Sequence, residues 1–180
     1  MDTSWHRYGV IAQLASAKPS GTKLGRTALM KLIYFLQTVK QVPLGYHFSL
    51  YTYGPFDSDV LADLALVQEM RGVTSQTVHY GNGYGYEIEP GEKVDQVKAE
   101  VADFLNTHKA AIETVVSEFG ALSPATLELS STLVFAAREG NGKLSKTETI
   151  QQVLKIKPRF TADQAEEQWE DLLRKGYLPA

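Results

Sequence analysis

The residues with catalytic or metal-binding potential are few and far apart in this sequence. The four histidines are His6, His47, His79 and His108, and no two have the i, i+4 spacing of a helical zinc-ligand pair. Cysteine is absent, which excludes disulfides, thiolate metal ligands and a cysteine nucleophile. The glycines of Gly81–Gly85 lack the strand-to-helix context of a phosphate-binding loop. We therefore predict a protein that is not an enzyme and that uses no metal and no cofactor.

Residue types suited to binding are better represented, and the first candidate is a basic stretch. Its cations are Lys18, Lys23, Arg26, Lys31 and Lys40. Such a surface would contact phosphate or an acidic protein, whereas the simpler interpretation is a solvated helix face. Lys31 is expected to be half-buried at the edge of an apolar stripe, where its stem covers apolar surface or its ammonium binds a carboxylate. Arg26 and Lys31 are the candidate partner-binding residues of this stretch.

The second binding candidate is an aromatic turn that contains Tyr53, Pro55 and Phe56. Aromatic side chains supply much of the binding energy at protein interfaces, so a turn of this composition would anchor a partner. The alternative is that Tyr53 and Phe56 fill the core beneath the helix that follows. The three residues are predicted here as partner-binding residues.

The elements that must position these residues are indicated by hydrophobic periodicity. In order, we predict helices over 4–17 and 23–41, a strand over 47–53, a third helix from about 58 to 71, and hairpin strands over 73–80 and 84–89. The second helix is apolar on more than half of its circumference, which is typical of a central helix. Asp57 or Ser58 is expected to cap the third helix.

A turn at Pro90-Gly91 predicts a boundary between a domain over 1–91 and a helical domain over 92–180. The second domain is predicted to begin with one long helix over 92–119, followed by three shorter helices. An apolar stripe on the long helix consists of Val94, Val97, Val101, Phe104, Ile112 and Val115. Its spacing resembles a coiled-coil seam, so we expect it either to form a homodimer or to pack on the protein's own first half.

These elements predict an α+β fold that is mostly α. It has a winged-helix-like N-terminal part with a small antiparallel sheet, a long connecting helix and a helical C-terminal part. The third helix would be the recognition helix, but its outward positions are expected to carry Asp59, Asp63 and Glu69. Negative charge on that face repels DNA phosphates, which disfavours DNA binding.

Three segments resemble motifs of a known family. Leu29–Leu36 (LMKLIYFL) and Tyr53–Phe56 (YGPF) are similar to the L-x-K-L-x-Y-F-L and Y/F-G-P-Y/F motifs of the YwgA-like family, a largely uncharacterised group of small prokaryotic proteins. Lys157–Thr161 (KPRFT) resembles a further motif of that family. Related motifs occur in the Panacea domain of antitoxins, phage-associated proteins and an adaptor that delivers a toxin to a protease. The resemblance implies a winged-helix-like core and protein–protein interaction.

Composition narrows the function classes further. The 180 residues include 18 basic and 21 acidic side chains, a net charge of −3, which excludes a basic nucleic-acid coat. The start lacks a signal-peptide pattern and apolar runs are short, so we expect a cytoplasmic location. We predict a non-enzymatic protein-interaction module that is antitoxin-like, adaptor-like or regulatory by resemblance, with another protein, such as a toxin, as its partner. The alternative is a DNA-binding winged-helix transcriptional regulator.

Overall fold

A computed structural model describes residues 3–81, 83–139 and 144–178. In chain order its elements are α1 (Thr3–Ala17), α2 (Arg26–Thr38), β1 (Ser49–Tyr51), β2 (Gly54–Phe56), α3 (Ser58–Glu69), β3 (Val73–Tyr80), β4 (Gly83–Pro90), α4 (Val94–Ala99), α5 (Ala102–Thr107), α6 (Lys109–Phe119), α7 (Pro124–Glu139), α8 (Lys146–Ile156) and α9 (Ala162–Arg174). The strands form two separate antiparallel pairs. The predicted fold class, α+β and mostly α, is confirmed.

The chain forms two compact units. The first consists of Met1–Phe48 and Asp57–Leu122, and the second of Ser49–Phe56 and Ser123–Ala180. This division differs from the predicted domains 1–91 and 92–180, because α4, α5 and α6 pack on α1 and belong to the first unit. The short strand pair β1–β2 belongs to the second unit, where β2 packs on α7.

Helix α2 forms the centre of the first unit. Every side chain from Ala28 to Leu36 is buried, as its apolar circumference predicts. The Phe35 ring stacks on Phe119 of α6 with 4.3 Å between ring centroids. The predicted cap of α3 is also confirmed, since the Asp57 side chain accepts a hydrogen bond from the Asp59 backbone N–H.

The predicted long helix over 92–119 is wrong. The backbone leaves helical geometry at Val101 and at His108, and three short helices replace the single long one. Val101 is 2% exposed and lies so close to α1 that a Cβ on Gly9 would be 2.1 Å from its Cγ2 atom. A straight helix could not keep its apolar side chains against α1, so the breaks let three short helices follow the core.

Most of the apolar stripe is therefore buried within the first unit, while Val94 and Phe104 are half-buried. Val97, Val101, Ile112 and Val115 are all at most 5% exposed, and α6 packs on α2. Of the two alternatives, packing on the protein's own first half is the one observed. A homodimer through this stripe stays a prediction, and it would require these side chains to leave the core.

The hairpin of the first unit is confirmed. Strands β3 and β4 pair in one continuous register from Val73↔Pro90 to Tyr80↔Gly83, while Asn82 of the predicted turn lies outside the described residues. Ile88 of β4 also bridges to Leu24. Since β1 pairs with β2 and not with this hairpin, the winged-helix topology stays a prediction.

The second unit contains the strand pair β1–β2 and helices α7–α9. The predicted strand over 47–53 is shorter than expected, and the predicted turn at Gly54-Pro55 is itself strand β2, with Tyr51 paired to Gly54. Capping boxes begin the last two helices, from Ser145 to Glu148 in α8 and from Thr161 to Gln164 in α9. Both follow the Ser/Thr-x-x-Glu/Gln pattern of a capping box.

Candidate functional site

The three predicted aromatic-turn residues lie in the second unit, in a segment that we call the aromatic turn (Tyr51–Phe56). Tyr51 is 65% exposed and Tyr53 is 60% exposed, whereas Pro55 is buried. The half-buried Phe56 ring lies 5.5 Å from the Tyr51 ring, between centroids. Tyr53 therefore does not fill the core, and this turn exposes two tyrosines, Tyr51 and Tyr53.

Gly54 fixes the shape of the aromatic turn. Its φ of +88° belongs to the left-handed region that favours glycine. A Cβ at this position would lie 2.9 Å from the Thr132 hydroxyl and 3.2 Å from the Ser131 hydroxyl, both on α7. These hydroxyls are themselves held, since each donates to the Glu128 carbonyl. Only glycine allows the turn to pack this closely on α7.

An ion cluster that contains two buried charges, Glu128 and Lys157, also holds the aromatic turn. Glu128 of α7 is 3% exposed, and its carboxylate pairs with Lys157 (Oε1 to Nζ, 3.1 Å) and with Arg159 through Oε2. Lys157 is 5% exposed, and its ammonium also donates to the Thr52 carbonyl. A single lysine thus connects α7 to the backbone of the turn.

The ion cluster (Glu128, Lys157 and Arg159) joins two of the segments that carried the family resemblance. Tyr53–Phe56 forms most of the turn, and Lys157–Thr161 supplies both cations. Glu128 was missed by sequence reasoning, although one signal was present. A carboxylate between Leu127 and Leu129 in an apolar helix must be paired when buried, because an unpaired buried charge is very costly.

The two other predicted binding residues, Arg26 and Lys31, belong to the first unit. Lys31 is 2% exposed, so the expected half-buried position is wrong. The aliphatic stem and the ammonium are both enclosed because α2 is surrounded by the core. Arg26 begins α2, and its guanidinium carbon lies 3.4 Å above the Tyr86 ring. A cation–π contact of this kind engages Arg26 within its own unit.

Lys18 and Lys23 of the predicted basic stretch also have partners within the first unit. Lys18 pairs with Glu89 of β4, and Lys23 pairs with Glu87 of β4 over 3.2 Å. Arg26 lies over the ring of Tyr86, also on β4. Much of the positive potential expected for a partner is therefore neutralised by the hairpin.

The predicted acidic face of α3 is also smaller than expected. Asp63 is 7% exposed and points into the first unit, where the Tyr46 hydroxyl donates to Oδ2 over 2.8 Å and the Arg7 guanidinium lies 3.6 Å away. Burial raises the pKa of the Asp63 carboxyl, and the Tyr46 hydrogen bond and the Arg7 charge only partly oppose this. Burial and the Asp63 carboxylate also raise the pKa of the Tyr46 hydroxyl.

Among the described residues, no group of three His, Asp or Glu side chains could hold a metal ion. A pocket of about 410 Å³ in the second unit is lined partly by Leu129, Phe160 and Gln168, and Glu167 is its ionisable side chain. Of the helices within the described ranges, none has the length and hydrophobicity needed to cross a membrane.

Comparison with known proteins adds no further identification. No family model and no curated protein matches the sequence.

Proposed function

We propose that the chain is a non-enzymatic protein-interaction module that binds another protein through the aromatic turn. The resemblance of its short segments to YwgA-like and Panacea motifs supports an antitoxin-like, adaptor-like or regulatory role. The observation that carries the proposal is the pair of exposed tyrosines on a turn held by an ion cluster with two buried charges.

Exposure and rigidity together favour binding at this turn. Tyr51 and Tyr53 leave large aromatic surfaces in water, and tyrosine is enriched among the residues that dominate interface energies. Because Gly54 and Lys157 already fix the backbone, a partner does not have to order the turn on binding. Preorganisation of this kind lowers the entropic cost of association.

The proposal predicts that loss of Tyr53 weakens partner binding. The partner is first isolated with the wild-type chain from host cells, and its affinity is then measured with purified proteins. We expect Tyr53→Ala to weaken binding about thirtyfold, the effect of losing an interface residue worth about 2 kcal/mol. Tyr84→Ala is the matched control, because Tyr84 is 66% exposed on β4 of the first unit.

Two outcomes contradict the proposal. One is that the wild-type chain recovers no protein partner. The other is that Tyr53→Ala and Tyr51→Ala bind the recovered partner as tightly as Tyr84→Ala does, which would place the contact surface elsewhere.

The alternative, a DNA-binding winged-helix regulator, has weaker support. The cations that would contact phosphate include Lys18, Lys23 and Arg26, and each of these already contacts β4. Burial of Asp63 removes one acidic group from the outer face of α3, but Asp59 and Glu69 remain exposed there. A phosphate backbone would therefore meet few available cations on these elements.

A further inference from the structure

We propose that the open edge of strand β3 pairs with β3 of a second copy of the chain, which joins the two hairpins into one four-stranded antiparallel sheet. This inference is independent of the aromatic turn, since β3 belongs to the first unit and the turn to the second.

The outer edge of β3 is open. In the described part of the chain, β3 pairs with β4 alone, and no backbone hydrogen bond joins it to another element. The strand has 8 residues, longer than the usual length of about 5–6. Thr74, Gln76, Thr77 and His79 are exposed. A row of backbone donors and acceptors is thus available for another strand.

The protection that natural edge strands carry is missing from β3. Such edges are usually blunted by Lys, Pro, other charged side chains or a β-bulge. The sequence of β3, VTSQTVHY, contains no Lys, Arg, Asp, Glu or Pro, and the unbroken register with β4 leaves no bulge. Strand β4, by contrast, carries Glu87 and Glu89, ends at Pro90 and is bridged to Leu24. Only one edge of this hairpin is left ready to pair.

A second copy fits this edge better than a charged peptide, because β3 pairs well with itself. Two antiparallel copies related by a two-fold axis at Gln76 place Ser75 opposite Thr77 and Thr74 opposite Val78. These are hydroxyl and β-branched pairs, which stabilise sheets, and no like charges meet. The Ser75 hydroxyl is buried without a hydrogen-bond partner among the described residues, and Thr77 of the second copy would be its cross-strand neighbour. Two-fold dimers of this isologous kind are the commonest oligomers.

The first test introduces a charge at the proposed axis. Gln76→Lys sets two lysines directly opposite each other, so we expect the dimer to dissociate about tenfold more readily in sedimentation equilibrium. Tyr84→Lys is the matched control, with the same charge on β4 of the same hairpin. Circular dichroism of both variants checks the fold. A wild-type chain that stays monomeric at its highest soluble concentration, or a dimer unchanged by Gln76→Lys, overturns the proposal.

A second test does not depend on destabilising the dimer. Because the chain has no cysteine, Gln76→Cys introduces a single thiol at the axis. Mild oxidation is expected to give a disulfide-linked dimer at protein concentrations where the control Ser117→Cys, exposed on α6, remains monomeric. Equal cross-linking of the two variants contradicts the pairing.

Discussion

Lys157 is the residue on which the aromatic turn most depends. Its buried ammonium touches the Glu128 carboxylate and the Thr52 carbonyl at once. Burying a charge is favourable only when its partners replace water, and this cluster supplies them. The arrangement fixes the turn geometry, whether or not it contributes to net stability.

At the residue scale we expect Lys157→Met to be strongly destabilising. The change leaves Glu128 buried with the partly exposed Arg159 as its remaining cation, at a cost of about 3–5 kcal/mol in the free energy of unfolding. Urea denaturation measures this cost. Lys155→Met is the matched control, because Lys155 is exposed in α8.

The double variant Glu128→Leu, Lys157→Met distinguishes the cost of an unpaired buried charge from the cost of lost side-chain packing. It removes both charges and is expected to recover much of the lost stability. If Lys157→Met costs no more than Lys155→Met, the ion cluster does not hold the turn.

At the scale of elements, a polar network ties α1 to α3 through the segment that follows α2. Arg7 of α1 donates from Nε to the Leu44 carbonyl over 2.7 Å and faces Asp63 of α3. Its guanidinium also lies over the Tyr46 ring, 4.2 Å from the centroid. Three elements are therefore held by one arginine, one carboxylate and one phenol.

This network gives the first unit a specific pH dependence. The pKa of Asp63 is raised in the folded chain, so the folded state binds this proton more tightly than the unfolded state does. The contribution of Asp63 to stability therefore falls as the pH rises from the carboxyl's ordinary pKa through its raised value. Relative to Asp63→Asn, the wild-type free energy of unfolding should decrease over that pH range.

Urea denaturation of both chains at a series of pH values measures this difference. Glu69→Gln is the matched control, since it removes an exposed carboxylate from the far end of the same helix. A wild-type stability that rises relative to Asp63→Asn over the same range would contradict a raised pKa of Asp63 in the folded chain.

At the scale of the whole molecule, the charge distribution favours the protein-interaction proposal over DNA binding. The net charge is −3, and several of the 18 basic side chains are already paired with carboxylates. Affinity for DNA comes largely from protein cations that release counterions from phosphate. Pairing with carboxylates lowers the number of cations that are available for this in the chain.

We therefore expect no measurable binding to random duplex DNA, even at low salt, by fluorescence anisotropy. Glu87→Gln with Glu89→Gln removes the carboxylates that pair with Lys18 and Lys23 and serves as the comparison, since any DNA affinity should increase in that variant. Tight wild-type binding that falls steeply with salt concentration would instead support the DNA-binding regulator.

Much of the fold was predictable from local patterns. The caps at Asp57, Ser145 and Thr161 and the hairpin from Val73 to Pro90 depend on residues close in sequence. The long helix failed because the apolar stripe shows that Val101 is buried but not that the backbone must bend to bury it. The bend depends on Gly9, about ninety residues earlier in the chain.

The candidate site was likewise predictable only in part from the sequence. Sequence alone predicted a turn beside Tyr53 and Phe56, since glycine and proline favour turns. It did not give the turn's position, because Gly54-Pro55 is part of β2 and the chain reverses at Thr52 and Tyr53. Only the tertiary structure decided that Glu128 and Lys157 hold this turn, that Asp63 and Lys31 are buried, and that the cations near α2 face β4. The physical reason is that the sequence identifies a charged side chain but not whether that side chain is solvated or paired. Its role depends on which distant residue takes the place of the water molecules around its charge.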